Sequence, residues 1–299
     1  MGYKLAGYDH LGGVEIDPKV AAVYKANHTP KHLYVEDIRA FNQRMDLPDE
    51  LFSLDLLDGS PPCSSFSMAG SREKGWGKEK VFREGQAHQR LDDLVFTYVE
   101  TIAKLQPKVA ILENVKGLLA GNAKAYAKEI VQRLRGHGYT VQVFLLNAAT
   151  MGVPQMRERC FFIARKDATW PNLVLKFEEP EIAVASFASR LANMRMITAG
   201  NERHYAHGRQ KNPWPCSSRC APTQTATKSR MDYATSFPGD GRINGGGRFN
   251  DEERLCIQSY PTDYAFNGLE AEYLCGMSVP PVMTAQIAHQ INLQWFNKA

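Results

Sequence analysis

The chain has 299 residues, 43% of them hydrophobic and 23% charged, with a formal net charge of +4. That composition excludes a disordered tail, a collagen and a disulfide miniprotein, and it leaves room for one large domain or two. No run approaches the roughly 20 apolar residues of a membrane span, and the first residues lack a basic stretch followed by an apolar one, so a cytoplasmic location is expected.

The first half alternates short β-rich runs with helical stretches. His10 to Ile16 is apolar and ends in Asp17-Pro18, after which Lys19 to Asn27 has helix-forming composition. Leu51 to Leu57 predicts a strand closed by Asp58-Gly59. Leu91 to Leu105 spaces its apolar residues as a helix does, up to Gln106-Pro107, and Val109 to Leu112 is a short buried-strand run. Lys124 to Arg135 predicts a helix stopped by Gly136 and Gly138; Val141 to Leu146 and Cys160 to Ile163 predict further strands. Strand and helix in this rhythm imply an α/β fold with a doubly wound parallel sheet.

After Ile163 the rhythm fails. From Arg203 to Met231 there is no Asp or Glu, while Arg203, Arg209, Lys211, Arg219, Lys228 and Arg230 gather around Tyr205 and Trp214. The alternatives are a solvated irregular surface and a basic, aromatic-interleaved footprint for nucleic acid. Helical patterning returns from Asp251, and Thr284 to Trp295 reads as a closing helix. The expected organisation is a catalytic domain over 1–165, a recognition region over 166–250 and a closing segment over 251–299 that returns to the first.

Three segments carry chemistry. Asp58-Gly-Ser-Pro-Pro-Cys63-Ser-Ser-Phe-Ser67 follows a predicted strand, and the carboxyl ends of parallel strands are where such sheets place ligands, so Cys63 stands where a nucleophile would. The plain alternative is a buried structural thiol. Ile111-Leu-Glu113-Asn114-Val115 sets a carboxylate in an apolar run, where burial raises its pKa toward that of a proton donor; the alternative is a capping acid. Gln155-Met-Arg157-Glu-Arg159 offers two guanidinium groups at alternating spacing, able to face one side of a strand, or else to salt-bridge an edge. His204, His207, Cys216 and Cys220 have zinc-ligand chemistry without a standard finger spacing, and no metal is expected.

In order and spacing these segments resemble the DNA (cytosine-5) methyltransferase family over nearly the whole chain. Pro62-Cys63 is similar to its nucleophile loop, Glu113 to Val115 to its Glu-Asn-Val motif, and Gln155, Arg157 and Arg159 to its Gln-x-Arg-x-Arg motif. Glu15 resembles the ribose-binding acid and Asp37-Ile38 the pair that meets the adenine. Arg254 to Pro261 and Gly276-Met-Ser-Val-Pro-Pro281 resemble the two closing motifs. Two departures stand out: the family begins with a strand and a Phe-x-Gly-x-Gly loop, whereas Met1 to Tyr8 resembles the helix after that loop, and Met277 occupies a position usually held by Asn. Both lead to an expectation of weakened cofactor binding.

The resemblance implies a Rossmann-like fold that uses S-adenosylmethionine, held by Glu15, Ile16, Asp37, Ile38, Asp58, Pro62, Leu94 and Ser278. It implies that Cys63 adds to C6 of a flipped-out cytosine in double-stranded DNA, with Glu113 at N3 and Arg157 and Arg159 fixing O2 and the loop. Residues Ser64 to Arg90, with Arg72 and Lys74, resemble the mobile loop that closes over DNA; Ser64, Arg72, Lys74, Arg209, Lys211, Arg219, Lys228 and Arg230 are the expected DNA contacts. A monomer working beside a cognate restriction enzyme is expected. The alternatives are a DNA-binding relic without catalysis, and a tRNA methyltransferase from the RNA-modifying branch, against which Ser64-Ser65-Phe66-Ser67 argues.

Overall fold

The computed structural model describes residues 1–62, 93–189, 195–196, 220–222, 224, 233–236 and 243–296. Local chemistry sets the helices. After strand β1 (Gly12–Val14), helix α2 (Pro18–His28) starts where the Asp17 carboxylate accepts from the amides of Lys19 and Val20, with proline in its first turn. After β2 (His32–Tyr34), α3 (Ile38–Gln43) starts in the same way, Asp37 accepting from Arg39 N–H. Helix α4 (Leu94–Leu105) ends at Gln106, left-handed with φ 51°, just before Pro107. A short helix α1 (Gly2–Leu5) precedes all of these.

The main sheet has the order β3 (Leu56–Gly59), β4 (Val109–Val115), β7 (Glu158–Arg165), β5 (Thr140–Asn147). Alternate residues of its strands feed two cores. On one face Ala110, Leu112, Cys160 and Phe162 pack with Val95, Val99 and Ile102 of α4 and with Ile130 and Leu134 of α5 (Lys124–Gly136). On the other, Val109, Ile111, Phe161 and Ile163 pack with Met283, Ile287 and Ile291 of α8 (Pro281–Ile291). A sheet buried on both faces is the middle layer of an α/β/α sandwich.

The direction of the sheet departs from the wholly parallel expectation. β3 and β4 are parallel, but β7 runs antiparallel to both β4 and β5. From β5 to β7 the chain turns through Ala148–Thr150 and the two-residue β6 (Gln155–Met156), with no crossover helix to restore direction. The strand expected over Leu51 to Leu57 is also shifted. Asp49–Phe52 is a 3-10 turn that buries Leu51, and Asp58-Gly59 lie inside β3 rather than closing it. The closing helix begins at Pro281 and ends in a π-turn, Asn292–Phe296, which buries Trp295 and lets its indole N–H donate to Pro171 O at 2.9 Å.

β1 and β2 form a separate parallel pair, and among the described residues no strand joins β1 to β3. The two sheets nevertheless share one core, in which Leu11, Val14 and Tyr34 meet Leu54 and Leu57 around Phe41, Leu51 and Leu105. Gly12 is required in β1, because a β-carbon there would lie 1.7 Å from His32 O on the neighbouring strand. Beyond β7, β8 (Arg195–Met196), β10 (Tyr233–Ser236) and β11 (Ile243–Gly247) make an antiparallel sheet, and β9 (Ala221–Pro222) pairs with β6. Helices α6 (Asp251–Gln258) and α7 (Ala271–Met277) lead to α8.

Candidate active site

Acidic side chains gather at the carboxyl ends of the strands. Glu15 follows β1, is partly buried, and accepts from Asp17 N–H at 2.9 Å; burial pushes its pKa up. Asp37, beyond β2, caps α3 and pairs with Arg39 at 3.1 Å. Asp58 in β3 retains solvent access by area, yet protein crowds it from most directions, including the Met1 amine and the Tyr3 hydroxyl that hydrogen-bonds to it. That enclosure, as on the floor of a narrow cleft, raises its pKa to about 6. Beside these acids Ile38 packs on the α4 core, and Leu94 is buried at the start of α4. Carboxylates next to apolar side chains suit a nucleoside, whose ribose offers hydroxyl donors and whose base offers an apolar face.

Glu113 and Arg159 form the central pair. Antiparallel register sets Arg159 opposite Val115, so Glu113 is its diagonal neighbour on the same face, and Arg159 Nε lies 3.0 Å from Glu113 Oε1. Both side chains are only 13% exposed. Burial pushes the Glu113 pKa up, against the opposing pull of Arg159 and Arg157, and burial pushes that of Arg159 down. Asn114, itself buried, donates from Nδ2 to Pro61 O at 3.2 Å and so ties the end of β4 to the loop that runs through Pro62 into Cys63. Cys63 itself lies outside the described residues, as do Ser64, Arg72, Lys74, Arg209, Lys211, Arg219, Lys228 and Arg230.

Arg157 departs from the expectation that both guanidinium groups serve one site. It is 1% exposed and donates from Nη1 to Gln224 O at 2.8 Å and from Nη2 to Gly276 O and Ser278 O at 2.9 and 2.8 Å. Gln155, Gln224 and Gln258 complete this buried network, and sequence reasoning did not single out the last two. Gln258 lies within the Arg254–Pro261 motif, so its signal was present; Gln224 had none. Cys160, Cys220, Cys256 and Cys275 are not disulfide-bonded. Among the described residues no His, Cys, Asp and Glu cluster could hold a metal, and no helix is long and apolar enough to cross a membrane; His204, His207 and Cys216 lie outside those residues.

An α/β/α sandwich with acids along its carboxyl edge and a Glu–Arg pair beside a proline-rich loop accords with an enzyme that holds a nucleoside cofactor. Residues 1–189 match the C-5 cytosine-specific DNA methylases, and the chain belongs to that family. It is 26% identical to the type II methyltransferase M1.HphI of Haemophilus parahaemolyticus over 97% of this chain and 82% of the relative. With M.AplI of Arthrospira platensis it is 27% identical over 100% and 83%. Among solved structures, a Spodoptera frugiperda DNMT2 mutant matches with a TM-score of 0.64 over 97% of this chain and 95% of that one at 16% identity, which is a likeness of fold. The enzyme is therefore a DNA (cytosine-5) methyltransferase that uses S-adenosylmethionine.

Proposed function

We propose that the reaction runs through a covalent adduct on Cys63 with a cytosine flipped out of duplex DNA. The observation that carries this reading is the buried Glu113–Arg159 pair, joined through Asn114 and Pro61 to the loop that leads into Cys63. The Cys63 thiolate adds to C6, and the C5–C6 π electrons make C5 nucleophilic. Glu113 in its protonated form donates to N3, and Arg159 holds O2 while remaining paired with the carboxyl. S-adenosylmethionine supplies the methyl group that C5 takes from its sulfonium. A base, water or hydroxide, takes the C5 proton, its electrons return across C5–C6 and expel the thiolate, and N3 gives its proton back to Glu113. Flipping costs a few kcal/mol, which contacts in the pocket must offset.

In this reading residues 1–165 and 251–299 form the catalytic part and 166–250 the recognition part. Arg209, Lys211, Arg219, Lys228 and Arg230 contact phosphates or bases, and Ser64, Arg72 and Lys74 close over the DNA. The enzyme works as a cytoplasmic monomer, paired with a restriction enzyme as the type II names of its relatives suggest. Incubation with duplex DNA containing 5-fluorocytosine and cofactor should trap a covalent complex, because fluorine cannot leave as a proton does. Trapping that survives Cys63→Ser overturns the assignment. A tRNA cytosine is the second reading; methyl transfer to tRNA but not to duplex DNA would select it.

A further inference from the structure

Four distant segments meet at one buried polar hub. Gln155, fully buried in β6, donates from Nε2 to Ile257 O at 3.2 Å and to Gln258 Oε1 at 2.7 Å, and its own Oε1 accepts from Gln224 N–H at 2.9 Å. Two residues further on, Arg157 takes the carbonyl of the same Gln224. Both main-chain groups of Gln224 are thus gripped by side chains of the segment that leads into β7. The parallel β6–β9 pairing, with Ala221 N–H donating to Pro154 O at 2.9 Å, fixes the residues just before it.

The other half of the hub holds the closing turn. Gln258 donates from Nε2 to both Ser278 O and Ser278 Oγ at 2.9 Å, and Arg157 Nη2 donates to Ser278 O and Gly276 O. One planar guanidinium therefore connects 224 to 276–278, and one amide chain, 224 to 155 to 258 to 278, runs beside it. A guanidinium has rigid geometry, and a buried donor that loses its acceptor finds no water to replace it, so neither segment can shift without breaking bonds to the other. Arg157 Nε and Gln224 Oε1 have no partner among the described residues, but the bonds that are made hold the parts they join in one arrangement.

We propose that Gln155, Arg157 and Gln258 are positioning residues that couple the recognition region to the closing turn, so that DNA and the methyl donor bind with positive, reciprocal coupling. This rests on the functional reading above, in which DNA occupies the recognition region, and on the family resemblance that sets Ser278 of the closing turn at the cofactor. Coupling of this kind changes affinity by about 5–150-fold and must be equal in both directions. Gln258 is its most selective probe: in Gln258→Glu the acceptor for Gln155 remains while both donors to Ser278 are lost.

The test is the dissociation constant of S-adenosylhomocysteine for the full chain, with and without a duplex that the chain methylates. In the wild type DNA should tighten binding at least fivefold. In Gln258→Glu, and in Arg157→Lys, which keeps the charge but lacks the planar fork, that ratio should fall toward one. A purely structural role would lower the melting temperature and leave the ratio intact, and that result overturns the proposal. So does a wild-type ratio of one when each ligand binds alone, which leaves the methyltransferase reading standing. A wild-type chain that binds neither ligand defeats both.

Discussion

Glu113 is asked to do two things that pull against each other. It pairs with Arg159, which favours its ionised form, yet it sits in a site where burial favours the neutral one, and burial is the larger effect. A carboxyl raised in this way keeps its proton above the usual carboxylate range and can donate to a ring nitrogen. The methylation rate should therefore fall as pH rises through the raised pKa, an effect visible in single-turnover methyl transfer. Glu113→Gln should flatten that limb and reduce the rate by about 10²–10⁴-fold, the usual worth of a positioned acid. It should also lower stability by roughly 3 kcal/mol or more, because Arg159 is left buried without its counter-charge. A variant with near wild-type rate would remove Glu113 from the chemistry.

His28 gives a residue-level prediction outside the site. It is 7% exposed, its Nδ1 has no partner among the described residues, and aromatic rings of Tyr24 and Tyr264 lie against it. Burial, helped by the Met1 amine and by His10, pushes its pKa down to about 4. The unfolded chain takes up a proton near the ordinary value of 6.5 and the folded one does not, so stability is lost as pH falls from about 6.5 to 4. By pH 4 the loss reaches about 3 kcal/mol. His28→Phe, which also removes the unpartnered nitrogen, should lessen the dependence of urea midpoints on pH in that window. An unchanged slope would assign the dependence to other groups.

At the scale of elements, what was legible in the sequence depended on how local the cause was. Asp17-Pro18 and Gln106-Pro107 bound their helices through neighbours one to three residues away, and both helices form close to where those signals point. Strand alternation is local too, but the meeting of Glu113 with Arg159 depends on the register between β4 and β7 and was not legible. Strand direction was not, since it depends on the connection from β5 to β7 rather than on periodicity. The place of β3 was hidden because the apolar Leu51 and Leu54 fill the core beneath β1 and β2. The partners of Arg157 were hidden for the same kind of reason: those at 224, 276 and 278 lie 67 or more positions away. Gly12 tests the element scale directly. Gly12→Ala would drive a β-carbon into His32 O, so strand pairing must yield, and a loss of about 1–3 kcal/mol is expected from thermal or denaturant unfolding. Full stability would show that β1 and β2 are not held this closely.

At the scale of the molecule, the interval between β1 and β3 governs how the two sheets act together. Leu11 O accepts from β2 and Glu15 N–H donates to it, so by alternation Gly12 and Val14 turn their backbone groups to the open edge. Val109 N–H donates to Asp55 O, so Leu56 and Asp58 turn theirs away from β4 in the same fashion. The edges belong to strands that share one core, and the Met1 amine lies beside Asp58, at the carboxyl end of β3. Among the described residues no strand pairs with either edge, so hydrogen exchange should be fast at Gly12, Val14, Leu56 and Asp58 and slow in β4 and β7. Slow exchange at those four amides would show that the two edges are covered.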